Sequence, residues 1–182
     1  MEEFSGISVV FGFIRFLSTA LLGIFFGAML TEGCVLLPYW RSIAPTEFLG
    51  WYAANSQRLQ GFFSPLTIGT ALLAIVTAIG SLWEHHPTQW LAIIIAVISI
   101  AVVSTFFLYF QKANTSFATA SISTDRVAVE LTRWAMWHWC RTGLSFIAFT
   151  MAMLSLWHLQ DRNFVTLLLV LNAVRSIVPS QS

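Results

Sequence analysis

Charge is what this sequence has least of. Its 182 residues include nine lysines and arginines and eight aspartates and glutamates, so 9% are charged while 57% are hydrophobic. An ordinary soluble domain carries about 25% charged residues, because polar side chains must cover a surface that faces water. This chain has too few to do that, and lipid is the expected solvent for most of its surface. The net charge of +1, without any cluster of lysine and arginine, gives no basis for a nucleic-acid partner. Two cysteines, Cys34 and Cys140, are too few for a disulfide framework and form no CxxC pair. Both lie in apolar stretches and read as small buried hydrophobes. Phosphate-binding, dinucleotide-binding and zinc-protease motifs are absent, as are internal repeats.

What the sequence does have is long apolar runs. A spanning helix needs about 20 mostly apolar residues, and four runs meet that length: 7–37, 62–83, 89–110 and 134–157. The first contains Arg15 and Glu32 and ends near Pro38. The acidic Glu2 and Glu3 and the length of the run argue for a retained span, not a cleaved signal. A further apolar stretch, 163–178, is short for a span and holds Asn172 and Arg175. It is expected as a short additional C-terminal helix. The fold class is therefore an all-α, single-domain membrane protein, a bundle of four transmembrane helices plus that short helix. Trp40, Trp83, Trp90, Trp134, Trp137 and Trp157 stand at the ends of runs, as in an aromatic belt at the headgroup level.

The connections are unequal. Residues 85–88 form a tight hairpin, and the adjacent His85 and His86 read as a solvated turn. Residues 39–61 and 112–133 are longer and lie together at the opposite end of the bundle. In the former, Thr46 is a candidate helix cap. Six basic residues fall at the long-connection end (Arg41, Arg58, Lys112, Arg126, Arg133, Arg141) and three at the other (Arg15, Arg162, Arg175). The positive-inside rule places the long connections in the cytoplasm.

Ionisable groups at membrane depth are costly and tend to face a bundle interior or a wet cavity. Four features satisfy that test, all at the long-connection end. Glu32 lies in the last turns of the first span. His138 and Arg141, three residues apart, share a helical face with Trp134 and Ser145. Asn55 and Arg58 precede the second span, and Asn114 ends the third. Glu32, His138 and Arg141 are the candidate catalytic residues; Arg58, Asn114, Trp134 and Trp137 are the candidate substrate-binding residues. Glu32 and His138 alone are too few ligands for a metal, and Glu130, two turns before His138, is the one candidate third ligand. No spacing matches a haem, zinc or di-iron signature, so no metal residues are assigned and the cofactor is left open.

The segments LLGIFFGAMLTEGCVLLPYWRSIAPTEF, RLQGFFSPLTIGTALLA, QKANTSF and RWAMWHWCRTGLSFIAF, in that order over about residues 20–155, carry a resemblance. Together they resemble the small integral membrane proteins of the domain-of-unknown-function 1772 group, also called anthrone oxygenase-like. One departure is that the proline–asparagine pattern usual after the third helix stands here as Ala113–Asn114. The resemblance implies a four-helix membrane bundle, in a bacterial inner (plasma) membrane. It also implies an oxygenase acting on a hydrophobic aromatic small molecule, without a cofactor or with a metal. Glu32 or His138 would take a proton, and Arg141 and Arg58 would hold the oxyanion. The alternative is a non-catalytic membrane component, a lipid or ligand binder or a subunit of a complex or homo-oligomer. In that case the small residues Gly23, Gly27 and Thr31 would serve helix packing.

Overall fold

A computed structural model describes the backbone of residues 2–177 and the side chains of residues 6 and 8–157. The described residues are helical throughout, apart from short connectors, and contain four helices long and apolar enough to cross a membrane. The first span, Ser8–Ser42, is built from α1 (Glu2–Thr31), a π-helical turn (Glu32–Leu36) and α2 (Leu37–Ser42). The second is α3 (Pro45–Trp83). The third, Gln89–Ala118, joins α4 (Gln89–Thr105), a second π-helical turn (Phe106–Phe110) and α5 (Gln111–Ala118). The fourth lies in α6 (Thr124–Ile177), of which Thr124–Trp157 has the length and composition of a span. The backbone over 163–177 continues α6 without a break. The side chains of the C-terminal segment expected as a separate short helix lie outside the described residues, as does residue 178.

The spans are longer than their apolar runs suggested, because the two long connections are themselves helical. Ile43 and Ala44 are all that separates α2 from α3. Pro45 occupies the first helical position of α3, where its fixed φ suits a helix start and its missing N–H costs nothing. The helix therefore begins one residue before Thr46, and no side chain caps it. With 39 residues α3 is about 58 Å long at 1.5 Å per residue, nearly twice the hydrocarbon core of about 30 Å. The connector 119–123 is also short, and Asn114 lies inside α5, not at the end of a helix.

Two π turns interrupt otherwise regular spans. In the first, the Leu37 N–H donates to the Glu32 carbonyl, five residues back. Pro38 follows at once and has no N–H to donate, so the wider turn falls where the α-helical ladder loses a donor anyway. In the second, the Gln111 N–H donates to the Phe106 carbonyl. No proline accounts for that one.

The core divides by end. At the long-connection end Trp40, Phe48, Tyr52, Phe110, Phe117 and Trp134 interlock. Edge-on ring contacts of 5.3 Å (Trp40–Trp134) and 5.1 Å (Phe48–Phe117) join the first span to the fourth and the second to the third there. At the hairpin end the core is mostly alanine, with Ala74, Ala78, Ala92, Ala96, Ala148 and Ala152 around Leu22 and Ile95. Small residues let helix backbones approach closely, which is the main source of attraction between helices in lipid. Gly23 fits this role: a Cβ there would meet the Phe149 ring at 2.9 Å. Gly27 faces open space and Thr31 is exposed, so only part of that small-residue stripe packs within the bundle.

Trp83, Trp90 and Trp157 project from the hairpin end, whereas Trp40 and Trp134 are core residues. Cys34 and Cys140, expected to be buried, are free thiols on the outer face.

Candidate functional site

The first π turn sets Glu32 facing inward. Its carboxylate is buried and meets Arg141 Nη2 at 3.2 Å and His138 Nδ1 at 3.4 Å. Both partners come from α6, where a spacing of three places them on one face. Glu32 is therefore not a carboxylate reaching for the headgroups, and Arg141 is not a snorkelling cation. They form a buried ion pair between the first and fourth spans.

His138 is completely buried. Its Nε2 stands 2.9 Å from the Met29 carbonyl oxygen. A carbonyl only accepts, so Nε2 carries the hydrogen and the Nδ1 lone pair is free to accept. Arg141 Nη2 is 3.4 Å from that lone pair. Trp134 lies flat against the imidazole, 4.9 Å between centroids and 9° from parallel. Gly33 makes the arrangement sterically feasible: a Cβ there would stand 3.0 Å from His138 Nε2 and 2.9 Å from the Trp139 ring.

Arg141 is held in three directions. Its guanidinium carbon lies 3.9 Å from the Phe110 ring centroid and 6.0 Å from that of Trp134, positions in which the ring faces attract a cation. Its Nε is buried without a hydrogen-bond partner among the described residues, as is Trp40 Nε1. Buried donors are normally paired, so Arg141 has one donor to spare.

That spare donor belongs to a residue that lines a cavity of about 370 Å³. The cavity lies between α3 and the third span, and Glu32, Trp134 and Arg141 form its back wall. Tyr52, Ser56, Gln60 and Ser64 repeat every four residues down the α3 wall. Gln111 and Asn114 line the opposite wall, with Phe106 and Phe107 from the second π turn below them. Asn114 Oδ1 accepts from Trp134 Nε1 at 3.0 Å, which fixes the indole against the cavity. π turns often mark functional positions, and here both border one cavity.

Of the seven residues singled out from sequence, Glu32, Arg141, Asn114 and Trp134 line this cavity. His138 stands behind it, touching Glu32, Arg141 and Trp134 without reaching the wall. Arg58 is exposed and is not among the lining residues. Trp137 stacks on Tyr109 at 5.4 Å, away from the lining. Asn55 donates to its own helix at the Trp51 carbonyl. Glu130, the candidate third metal ligand, accepts from the Tyr109 hydroxyl at 2.8 Å and pairs with Arg133. Among the described residues no group of three histidine, cysteine, aspartate or glutamate side chains is placed to hold a metal ion. Sequence reasoning missed Tyr52, Ser56 and Gln60, although their four-residue spacing was a readable signal. It also missed Gly33, for which the neighbouring Glu32 was the only hint.

The hairpin end has polar groups too. Arg15 is buried and pairs with Glu84, its Nε donating to Ser81 as well. His86 is buried, not solvated as its position in a turn suggested. Its Nδ1 is 2.9 Å from the Thr88 hydroxyl, which in turn bonds Ser155 at 2.7 Å. His85 alone points outward, with a positive φ of 49° that turns the chain. The cavity beside Arg15 is only about 20 Å³.

No protein-family model, curated protein or solved structure matches the chain.

Proposed function

We propose that this integral membrane protein binds a hydrophobic aromatic small molecule in the cavity at its long-connection end and oxidises it. The observation that carries the binding reading is the Glu32–Arg141 pair set in the wall of a cavity of about 370 Å³. Ligand sites are typically apolar clefts of about 300–1,000 Å³ with a few placed polar groups. The oxidation step rests on the resemblance to anthrone oxygenase-like proteins.

In this reading Glu32 is the base. It removes a proton from an acidic C–H or phenol of the substrate, and the Arg141 guanidinium in the cavity wall holds the resulting oxyanion. The co-reactant is dioxygen. A ring methylene and one O₂ give a ring carbonyl and one water, with one oxygen atom in each product. His138 acts through its neighbours, orienting Arg141 and backing Trp134. Trp134, pinned by Asn114, supplies a flat surface for an aromatic ring.

The test uses purified protein and anthrone as probe, with binding followed by tryptophan fluorescence and turnover by oxygen uptake. Wild type should bind and consume oxygen, E32Q should bind without uptake, and R141M should do neither. Saturable binding with no uptake by any form leaves a non-catalytic ligand binder. Failure to bind at all overturns the reading.

A further inference from the structure

The cavity has two chemically different halves. Phe48 packs on Phe117, Trp134 bonds Asn114 and Arg141 covers Phe110, which ranks the helices by depth. Counting along α3 and the third span from those contacts puts Ser56, Gln60, Gln111 and Asn114 near the level of Glu32 and Arg141. Deeper in the bilayer, from about one turn at Phe107 to about three turns at Ile68, the lining becomes mainly apolar, with Phe63, Ile68, Val103 and Phe107 beside the hydroxyls of Ser64 and Thr67.

The deep half faces outward. Phe107 is 68% exposed and Ile68 52% exposed, yet both also line the cavity. They stand on the outer surface of two apolar spans, where the solvent is acyl chain. The backbone is irregular on both sides of this opening. Pro65 interrupts the ladder of α3, and the π turn Phe106–Phe110 interrupts that of the third span.

The polar half is electrically balanced. Its charged groups are one carboxylate and one guanidinium, already paired, and the remaining polar residues are neutral. A phosphate or diphosphate headgroup would find no uncompensated cation there, and its desolvation would go unrewarded. A ketone, phenol or alcohol oxygen needs only a hydrogen-bond donor, and Ser56, Gln60 and Gln111 on the cavity wall carry such donors.

From these observations we infer that the ligand is a bilayer-dissolved amphiphile with an uncharged oxygen head, entering sideways between the second and third spans past Ile68 and Phe107. Its head rests at the Glu32–Arg141 level and its apolar body points toward the bilayer centre. This rests on the reading of the cavity as a ligand site, and adds the route and the head chemistry.

The test places full-length protein in phosphatidylcholine vesicles containing hexadecanol with a mid-chain diazirine. After illumination, labelled peptides are compared between the cavity segments 59–68 and 102–107 and the outer face of α1 around Phe13 and Phe16, which reports ordinary lipid contact. Labelling of the cavity segments should exceed that of α1 severalfold. It should fall to the α1 level in V103W, which fills the deep half, while α1 labelling stays constant. A lysophosphatidic acid carrying the same diazirine should label the cavity segments no more than α1. Equal labelling of cavity and α1 by hexadecanol overturns the inference, as does equal enrichment by the phosphate-headed probe. If hexadecanol is not enriched but anthrone still binds in detergent, the lateral route fails and the ligand site stands. If neither binds, both fail.

Discussion

Each end of the bundle buries an arginine–glutamate pair, yet the two ends differ in what surrounds it. At the hairpin end Arg15 and Glu84 close on each other and on Ser81, with alanines packed around them and about 20 Å³ of free space. At the other end Glu32 and Arg141 sit 3.2 Å apart among large aromatic rings, beside about 370 Å³ of cavity and with one guanidinium N–H unused. A buried ion pair by itself is weak evidence of function, since its Coulomb gain and desolvation cost nearly cancel. Space and an unsatisfied donor separate the second pair from the first. Side-chain size produces both: alanines draw helices together, whereas rings of different shapes hold α3 and the third span apart.

The sharpest way to break this comparison is to break each pair. R141A strands a buried carboxylate, at a cost of about 3–5 kcal/mol, and R15A a partly buried one, at a smaller cost; unfolding of the purified protein in mild detergent would show both as drops in midpoint. The charge-free doubles should then part company. R15M/E84Q should regain most of the lost stability and bind anthrone as wild type does. E32Q/R141M should regain stability but not binding. Equal binding by both doubles would mean that the two ends are alike.

G33A tests the packing behind the site. The new methyl must displace His138 or Trp139, an overpacking of about 1–3 kcal/mol, with weaker ligand binding as the second readout. Gly27 faces open space, so G27A should leave both properties unchanged. Replacing Trp134 by phenylalanine should cost about 1 kcal/mol, the scale of losing its hydrogen bond to Asn114. It should weaken anthrone binding more than unfolding. The smallest effect is expected for R58A: an exposed residue on the far face of α3 should alter neither the midpoint nor binding, and a clear loss of binding would place the mouth of the cavity elsewhere.

The number of spans was legible because a hydrocarbon slab sets a length, and four runs exceed it. Span ends were not, because polar helix exposed beyond the bilayer resembles a loop in composition. Pro45 illustrates the ambiguity: it breaks a helix from within and starts one at its first position. Glu32 and Arg141 were legible through the cost of charge at depth. Arg58 was misplaced because depth fixes level but not direction. It lies two residues from both Ser56 and Gln60, about 200° around the helix at 3.6 residues per turn. The histidines failed on the same point. His85 and His86 are neighbours in sequence, but one positive-φ residue sends the first to the surface and the second into a hydroxyl network. The tryptophans were read as one belt although Trp40 and Trp134 build the core, since ring size suits both places.

The π turns also bear on how this chain tolerates length change. Each holds one residue more than the α-helical turn it replaces, so removing one residue from 32–36 or 106–110 would restore a regular helix without breaking it. The residues beyond the excision would keep their facing, because four α-helical residues turn the chain about as far as the five π-helical ones they replace. Trp40 would stay against Trp134 in the first span, and Asn114 against the same indole in the third. A deletion in a regular stretch of either span would instead rotate everything beyond it by about 100°, so the π turns are the two places where these spans can lose a residue and keep the frame of the site.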